Sequence, residues 1–283
     1  MTAFWYQQRT LLWFCLAVIT SAHAQPFDSG QKIINGTAPL PYTDGNGLLT
    51  KPPAFTQQQM NGFMAQGKIA CDGQCLTPYG TILGVADGAK ARSNCVSECI
   101  EPEYSFLNLR TNDITIHQTD PQKADLSYIG LAYQCVEYAR KWWMINKGIT
   151  FGSIDSAYET IYLTEGINIH TKQPFPLARS INGTAKRPPK RGDLIVYYPD
   201  RTTPNWRHGH MAVVVDVDIN NGTVSLAEQN YDNQTWKTNQ HFSRKIRLFT
   251  VGRTYQLIDV PPSSSNNPQG GLIAGWIYPL ADQ

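Results

Sequence analysis

Beyond its first two dozen residues the chain has no apolar run long enough for a helix to cross a bilayer, which takes roughly 20 residues. It also lacks a concentration of positive charge. The 24 Lys and Arg residues stand against 22 Asp and Glu, a net charge of +2, and they are dispersed along the sequence. That leaves no electrostatic footprint for a nucleic-acid partner. No internal repeat is found. Metal-ligand spacing is scarce too: His208 and His210 form a His-x-His pair without a convincing third ligand, and no residue is assigned to a metal or a cofactor.

What is present begins with a leader. In residues 1–24, Arg9 supplies positive charge, Leu11 to Thr20 form a short apolar core, and Ala22-His23-Ala24 reads as a small-x-small cleavage site. The expected product is an exported soluble protein, periplasmic or secreted, with no membrane span once the signal is removed. Residues 25–70 are rich in Pro, Gly, Thr and Gln with no sustained apolar period and read as a loosely packed N-terminal extension. The main domain is placed at 71–283. It opens with a cysteine-paired segment at 71–99, where Cys71/Cys75 and Cys95/Cys99 form two Cys-x-x-x-Cys twins. Four cysteines allow three pairings, and sequence does not choose among them. Structural disulfides suit an exported chain, with a zinc site as the alternative.

Periodicity predicts a short strand from Tyr79 to Val85, a helix from Cys135 to Asn146 stopped by Gly148, and a second helix over Ser156–Thr164 with Ser156 and Glu159 as a capping box. Strands are expected at 193–198, 210–217, 223–228, 253–260 and 272–278, with a tight hairpin at Asn220-Asn221-Gly222. Helices followed by an antiparallel sheet make the expected class α+β.

Cys135 is the thiol left over after the leader cysteine and the two twins are set aside. A leftover cysteine in an exported protein is an intermolecular link, an inert buried residue or a reactive thiol. Its place at a helix start favours the reactive form, because free N–H groups and the macrodipole there stabilise negative charge. His210 opens an apolar strand and is a candidate base, with His208 as its competitor; Glu228 closes the next strand of the hairpin and is a candidate orienter. A nucleophile, a base and an orienter need only meet in space. His117, His170 and His241 sit in polar contexts and read as surface residues.

Gln134-Cys-Val-Glu-Tyr-Ala-Arg140, Gly192-Asp-Leu-Ile-Val, Gly209-His-Met-Ala-Val-Val and Ala227-Glu-Gln-Asn230 together resemble the CHAP family of cysteine, histidine-dependent amidohydrolases/peptidases, over about Tyr79 to Tyr278. Within it the resemblance is to the amidase domain of glutathionylspermidine synthetase/amidases. It implies a papain-like (NlpC/P60-type) fold in which a helix-borne cysteine packs on an antiparallel β-sheet. The implied activity is hydrolysis of an amide through a thioester, with Cys135 as nucleophile, His210 as base and Glu228 as orienter. It further implies Gln134 and the Cys135 backbone N–H as oxyanion donors, Asn230 at the border of the cleft, and Arg140 as a bidentate holder of a substrate carboxylate. The implied substrates are peptidoglycan peptides or glutathionyl-polyamine-like amides. The alternatives are a catalytically inactive binding module on the same fold and a structural protein dimerised through Cys135.

Overall fold

Strand-forming sequence dominates this chain, and the computed structural model, which describes residues 51–201, 206–259 and 271–283, is accordingly built around sheets. The leader read at 1–24 and residues 25–50 of the extension lie outside the described residues. In chain order the elements are α1 (Gln57–Cys71), β1 (Ile82–Ala86), β2 (Ala89–Arg92), β3 (Tyr104–Asn108), β4 (Ile114–His117), β5 (Leu126–Leu131), α2 (Cys135–Lys147) and β6 (Ile149–Thr150). A 3₁₀ helix (Ala157–Tyr162) follows, then β7 (Glu165–Asn168), β8 (Pro174–Ile181), β9 (Leu194–Tyr197), β10 (His210–Asp218), β11 (Thr223–Ala227), β12 (Arg244–Val251), β13 (Thr254–Ile258) and β14 (Ile273–Pro279). No described helix is long and apolar enough to cross a membrane.

Nine strands form one sheet in the order β13-β12-β11-β10-β9-β14-β8-β7-β6, with antiparallel neighbours throughout. Its centre, β9 and β10, is buried on both faces, and the two-residue alternation of a strand sorts its side chains. Leu194 and Val196 of β9 with Met211, Val213 and Val215 of β10 join a cluster with Tyr138, Ala139, Trp142 and Trp143 of α2. Ile195 and Tyr197 with Ala212 and Val214 join a second cluster around Trp276. The helix carrying Cys135 therefore lies against the strand carrying His210. A three-stranded sheet, β4-β3-β5, and the β1-β2 hairpin complete the architecture. The content is mixed α/β, mostly antiparallel sheet with few helices.

Three expectations are corrected here. Helices do not come first, since β1 to β5 precede α2. The segment read as a loose extension up to residue 70 contains most of α1, which a full capping box starts: Gln59 N–H donates to Thr56 Oγ1 at 3.2 Å and Thr56 N–H to Gln59 Oε1 at 2.8 Å. The expected helix at Ser156–Thr164 is a 3₁₀ helix over Ala157–Tyr162, because its capping groups are diverted. Ser156 Oγ bonds His208 Nδ1 at 2.9 Å, and Glu159 Oε2 accepts from Asp155 N–H at 3.1 Å. The expected structural disulfides form, and the pairing left open is Cys71–Cys99 and Cys75–Cys95. These bridges close separations of 28 and 20 residues, each worth about 3 kcal/mol by loop closure. No described group of side chains has the makings of a metal site.

Candidate active site

Cys135 is the first residue of α2 and the free thiol among the described cysteines. The helix starts there because Gln134 is extended, at φ −83° and ψ 157°, and it ends where Gly148 takes the left-handed conformation at φ 64°. One buried hydrogen bond ties the helix to the turn before β9, and a buried ion pair braces the helix internally. Trp143 Nε1 donates to the Gly192 carbonyl at 2.7 Å, and Lys141 pairs with Glu137 at 3.1 Å one turn away.

His210 opens β10 directly after Gly209, whose φ of +69° and close approach to the Tyr197 carbonyl leave no room for a side chain. A Cβ there would sit 2.5 Å from that oxygen. The His210 ring is buried among Tyr197, Trp206 and Tyr231, at centroid distances of 5.5, 5.5 and 5.7 Å. Its Nε2 bonds Glu228 Oε2 at 2.8 Å, and Cys135 acts on the ring as a second group that favours its charged form. Burial opposes charging this ring, but Cys135 and Glu228 outweigh it and raise His210 to about 9.

Glu228, just past β11, is 1% exposed and heavily bonded. Its Oε1 accepts from Ser243 Oγ and Arg244 Nε, both at 2.7 Å, while Oε2 accepts from His210 and from Arg244 Nη2 at 3.2 Å. Burial would raise this carboxyl, yet the Arg244 charge and the His210 bond prevail and hold it down to about 2. Arg244 is itself anchored. Its Nη1 donates to both carboxylate oxygens of Asp259 at 2.6 Å, its Nη2 donates to Tyr197 Oη at 3.1 Å, and the guanidinium lies 3.8 Å over the Tyr231 ring.

The structure thus brings Cys135, at the start of α2, to the side of β10 that carries His210, which is hydrogen-bonded to Glu228. His208 takes a separate place. It bonds Ser156, sits edge-on to Phe55 and Phe63, and is lowered to about 4 by burial and by the charges of Arg207 and Arg201. His170 and His241 are exposed, as expected, and His117 is half-buried beside Thr115.

One supporting expectation needs revision. Arg140 does not offer an open fork. Its Nη1 donates to the Ile129 carbonyl at 3.0 Å and its Nη2 to the Gly152 carbonyl, with the guanidinium 4.6 Å over Phe151. Both arms of a bidentate grip are therefore committed to backbone. The Gln134 amide gives one hydrogen to the Cys99 carbonyl at 2.9 Å, and its Oε1 accepts from Asn230 Nδ2 at 2.6 Å. Asn230 Oδ1 accepts in turn from Asn94 at 3.0 Å. Asn230 borders the cavity that holds Cys135.

Gln229 escaped the sequence reading. It is 1% exposed, donates to the Gln134 carbonyl at 3.0 Å and to the Glu137 carboxylate, and accepts from Arg92 N–H at 3.0 Å. The residue next to Glu228 is thereby tied to the residue next to Cys135. Its only sequence signal was its place in Ala227-Glu-Gln-Asn230. Ser243, Arg244 and Asp259 carried no signal at all, because Ser243 and Arg244 reach Glu228, and Asp259 reaches Arg244, only through the pairing of β11, β12 and β13.

With this geometry in view, the family model described as the CHAP domain matches residues 126–230, from β5 through α2 to Asn230. Residues 126–230 are a CHAP domain. The chain is homologous, at 26% identity over 206 residues, to the bifunctional glutathionylspermidine synthetase/amidase of Escherichia coli (strain K12), a match covering 72% of this chain and 30% of that one. The trypanothione synthetase of Crithidia fasciculata is 27% identical over 195 residues, covering 68% of this chain and 26% of that one. The chain therefore spans less than a third of the length of these curated relatives. A solved structure, the crystal structure of Ly7917 with the hydrolyzing product of MDP, aligns at 14% identity and a TM-score of 0.24 over 52% of this chain and 53% of that one. That score is too low for its fold to bear on this one. The CHAP domain encloses Cys135, His210 and Glu228, whereas Arg244, Asp259 and α1 lie beyond its matched residues.

Proposed function

We propose that the protein is an exported thiol amidohydrolase of papain-like organisation that cleaves an amide or peptide bond through a thioester on Cys135. The observation that carries this reading is the buried set Cys135, His210, Glu228 and Arg244 at the start of α2. Homology to a relative named as a synthetase/amidase supports it, and we read the homology as falling on the amidase part. The two disulfides support an oxidising compartment.

In the proposed reaction, Cys135 Sγ is the nucleophile and His210 the general acid and base. His210, whose basicity is raised, takes the Cys135 Sγ proton before attack. Sγ attacks the amide carbonyl, and the C–N bond breaks as His210 gives its proton to the departing amine. Water, deprotonated by His210, then cleaves the thioester, releasing a carboxylic acid and restoring the thiol. Glu228 holds the imidazole in orientation and stabilises its charged form. The Cys135 backbone N–H at the helix start and the second amide hydrogen of Gln134 serve the oxyanion. Substrates of the class are peptidoglycan peptides or glutathionyl-polyamine-like amides.

Replacing Cys135 with Ala and following hydrolysis of both substrate types tests this. Loss of all cleavage is expected; wild-type rates from the variant on any cleaved substrate would refute the assignment.

A further inference from the structure

Helix α1 and the two disulfides take no part in the triad, yet α1 walls the cavity that holds Cys135. Met60, Phe63, Met64 and Gly67 recur at i, i+3, i+4 and i+7, the spacing of one helix face, and all line this space of about 460 Å³. Tyr128, Val136 and Ile154 border the same space. The outer face of α1 is open, with Ile69 72% exposed. Arg140 and Glu137, the charged groups of α2 that border the space, are engaged with backbone carbonyls and with Lys141 and Gln229.

α1 is held near both ends. Toward its start, Phe63 packs edge-on to Phe55 and His208 at 5.0 and 5.4 Å, under the Arg207 guanidinium at 4.3 Å. Toward its end, the Gly67 carbonyl accepts from Ile100 N–H at 3.1 Å, and a Cβ on Gly67 would meet Ile100 at 2.6 Å, so glycine permits the close approach. Cys71 is then bridged to Cys99. The helix thus spans from the loop that leads into His210 to the loop whose Cys99 carbonyl holds Gln134.

We propose that α1 is a specificity wall, with Met60, Phe63 and Met64 selecting substrates that carry a bulky apolar or aromatic group beside the scissile amide. Methionine thioethers adapt to apolar shapes and make favourable contacts with rings, and an apolar pocket separates substrates by about 10- to 200-fold per methylene-sized difference. The disulfides hold this wall in place. The proposal rests on the amidase reading and gives that site its substrate class.

The test uses the full chain and peptides with Gly, Leu or Phe on either side of one scissile amide in an otherwise constant sequence. Leu or Phe at one of the two positions is expected to raise kcat/KM over Gly at least about tenfold. Met60→Gln with Met64→Gln should bring that ratio to within about twofold of one, and Cys71→Ser with Cys99→Ser should lower it. Ile69→Gln, on the outer face, should leave it unchanged. Cys135-dependent cleavage with no apolar preference, or a preference that survives the methionine changes, overturns the wall while leaving the amidase reading intact. Cleavage that persists in Cys135→Ala, or no cleavage at all, overturns the amidase reading and the wall with it.

Discussion

Glu228 keeps a charge at a buried position because Ser243, Arg244 and His210 all donate to it. Glu228→Gln removes the charge that sustains the His210 imidazolium, and kcat/KM should fall on the order of 10²- to 10⁴-fold. The same pair sets the pH response. His210 is raised from 6.5 to about 9, so its contribution to stability is fully present below about 6.5 and is lost as pH rises through about 9. Glu228 is lowered from 4.5 to about 2, so its contribution is present above about 4.5 and is lost as pH falls through about 2. The alkaline limb of kcat/KM should accordingly have its midpoint near 9 in the wild type and move to lower pH in Glu228→Gln; a wild-type midpoint near 6.5 would argue against the charged pair. Gln229 belongs to the same scale, as a positioning residue. Gln229→Ala should lower kcat by about tenfold or more with little change in KM, because it loosens the tie between Glu228 and the start of α2 rather than a substrate contact. An equal rise in KM would point to a binding role. The proposed triad could be read from sequence because its members sit at element ends, where the alternation of a strand and the start of a helix are written locally. Gln229 and Arg244 were not, since a polar residue in a turn and an arginine opening a strand read like any solvated side chain.

At the scale of elements, β10 depends on the glycine that precedes it. Gly209→Ala forces a left-handed conformation on alanine and drives its Cβ into the Tyr197 carbonyl, so a loss of about 1–3 kcal/mol is expected, with reduced activity as the start of β10 shifts. Thermal melts and kcat of the variant check both. β12 contributes through Arg244, which joins Glu228 to Asp259. Arg244→Ala leaves two buried carboxylates without their cation, a change worth about 3–5 kcal/mol. β9, β10, β11, β13 and β14 were foreseen within a residue or two from their apolar alternation, as was α2 with its Gly148 stop. The β3 to β5 sheet, β7 and β8 were not foreseen. β4, β7 and β8 are half-exposed, and β8 is interrupted by prolines and a charge, as in Pro174-Phe-Pro-Leu-Ala-Arg179, so that its strand character comes from pairing rather than from periodicity. α1 was missed for a related reason. Its Gln-rich face hid a sparse apolar stripe, although Thr56-x-x-Gln59 carried a capping signature.

For the whole molecule, sequence reasoning separated the four twin cysteines from Cys135 but left three pairings open, because connectivity depends on which loops the fold brings together. α1 and the 95–100 loop decide it, and the four bond among themselves. Cys71→Ser with Cys99→Ser should cost about 3 kcal/mol, read as a lower midpoint of denaturant unfolding. The triad's assembly from α2, β10 and the end of β11 was legible as a possibility; its reality depends on α2 packing against β10 with Trp143 and Glu137 buried. Alkylation of Cys135 tests the resulting claim most directly. Iodoacetamide is added at pH 7 while amide hydrolysis is followed and the modified residue is mapped by mass. One equivalent on Cys135 should abolish hydrolysis, at the same rate as the alkylation itself and faster than a free thiol reacts. Complete alkylation of Cys135 with hydrolysis retained would contradict its role as the nucleophile.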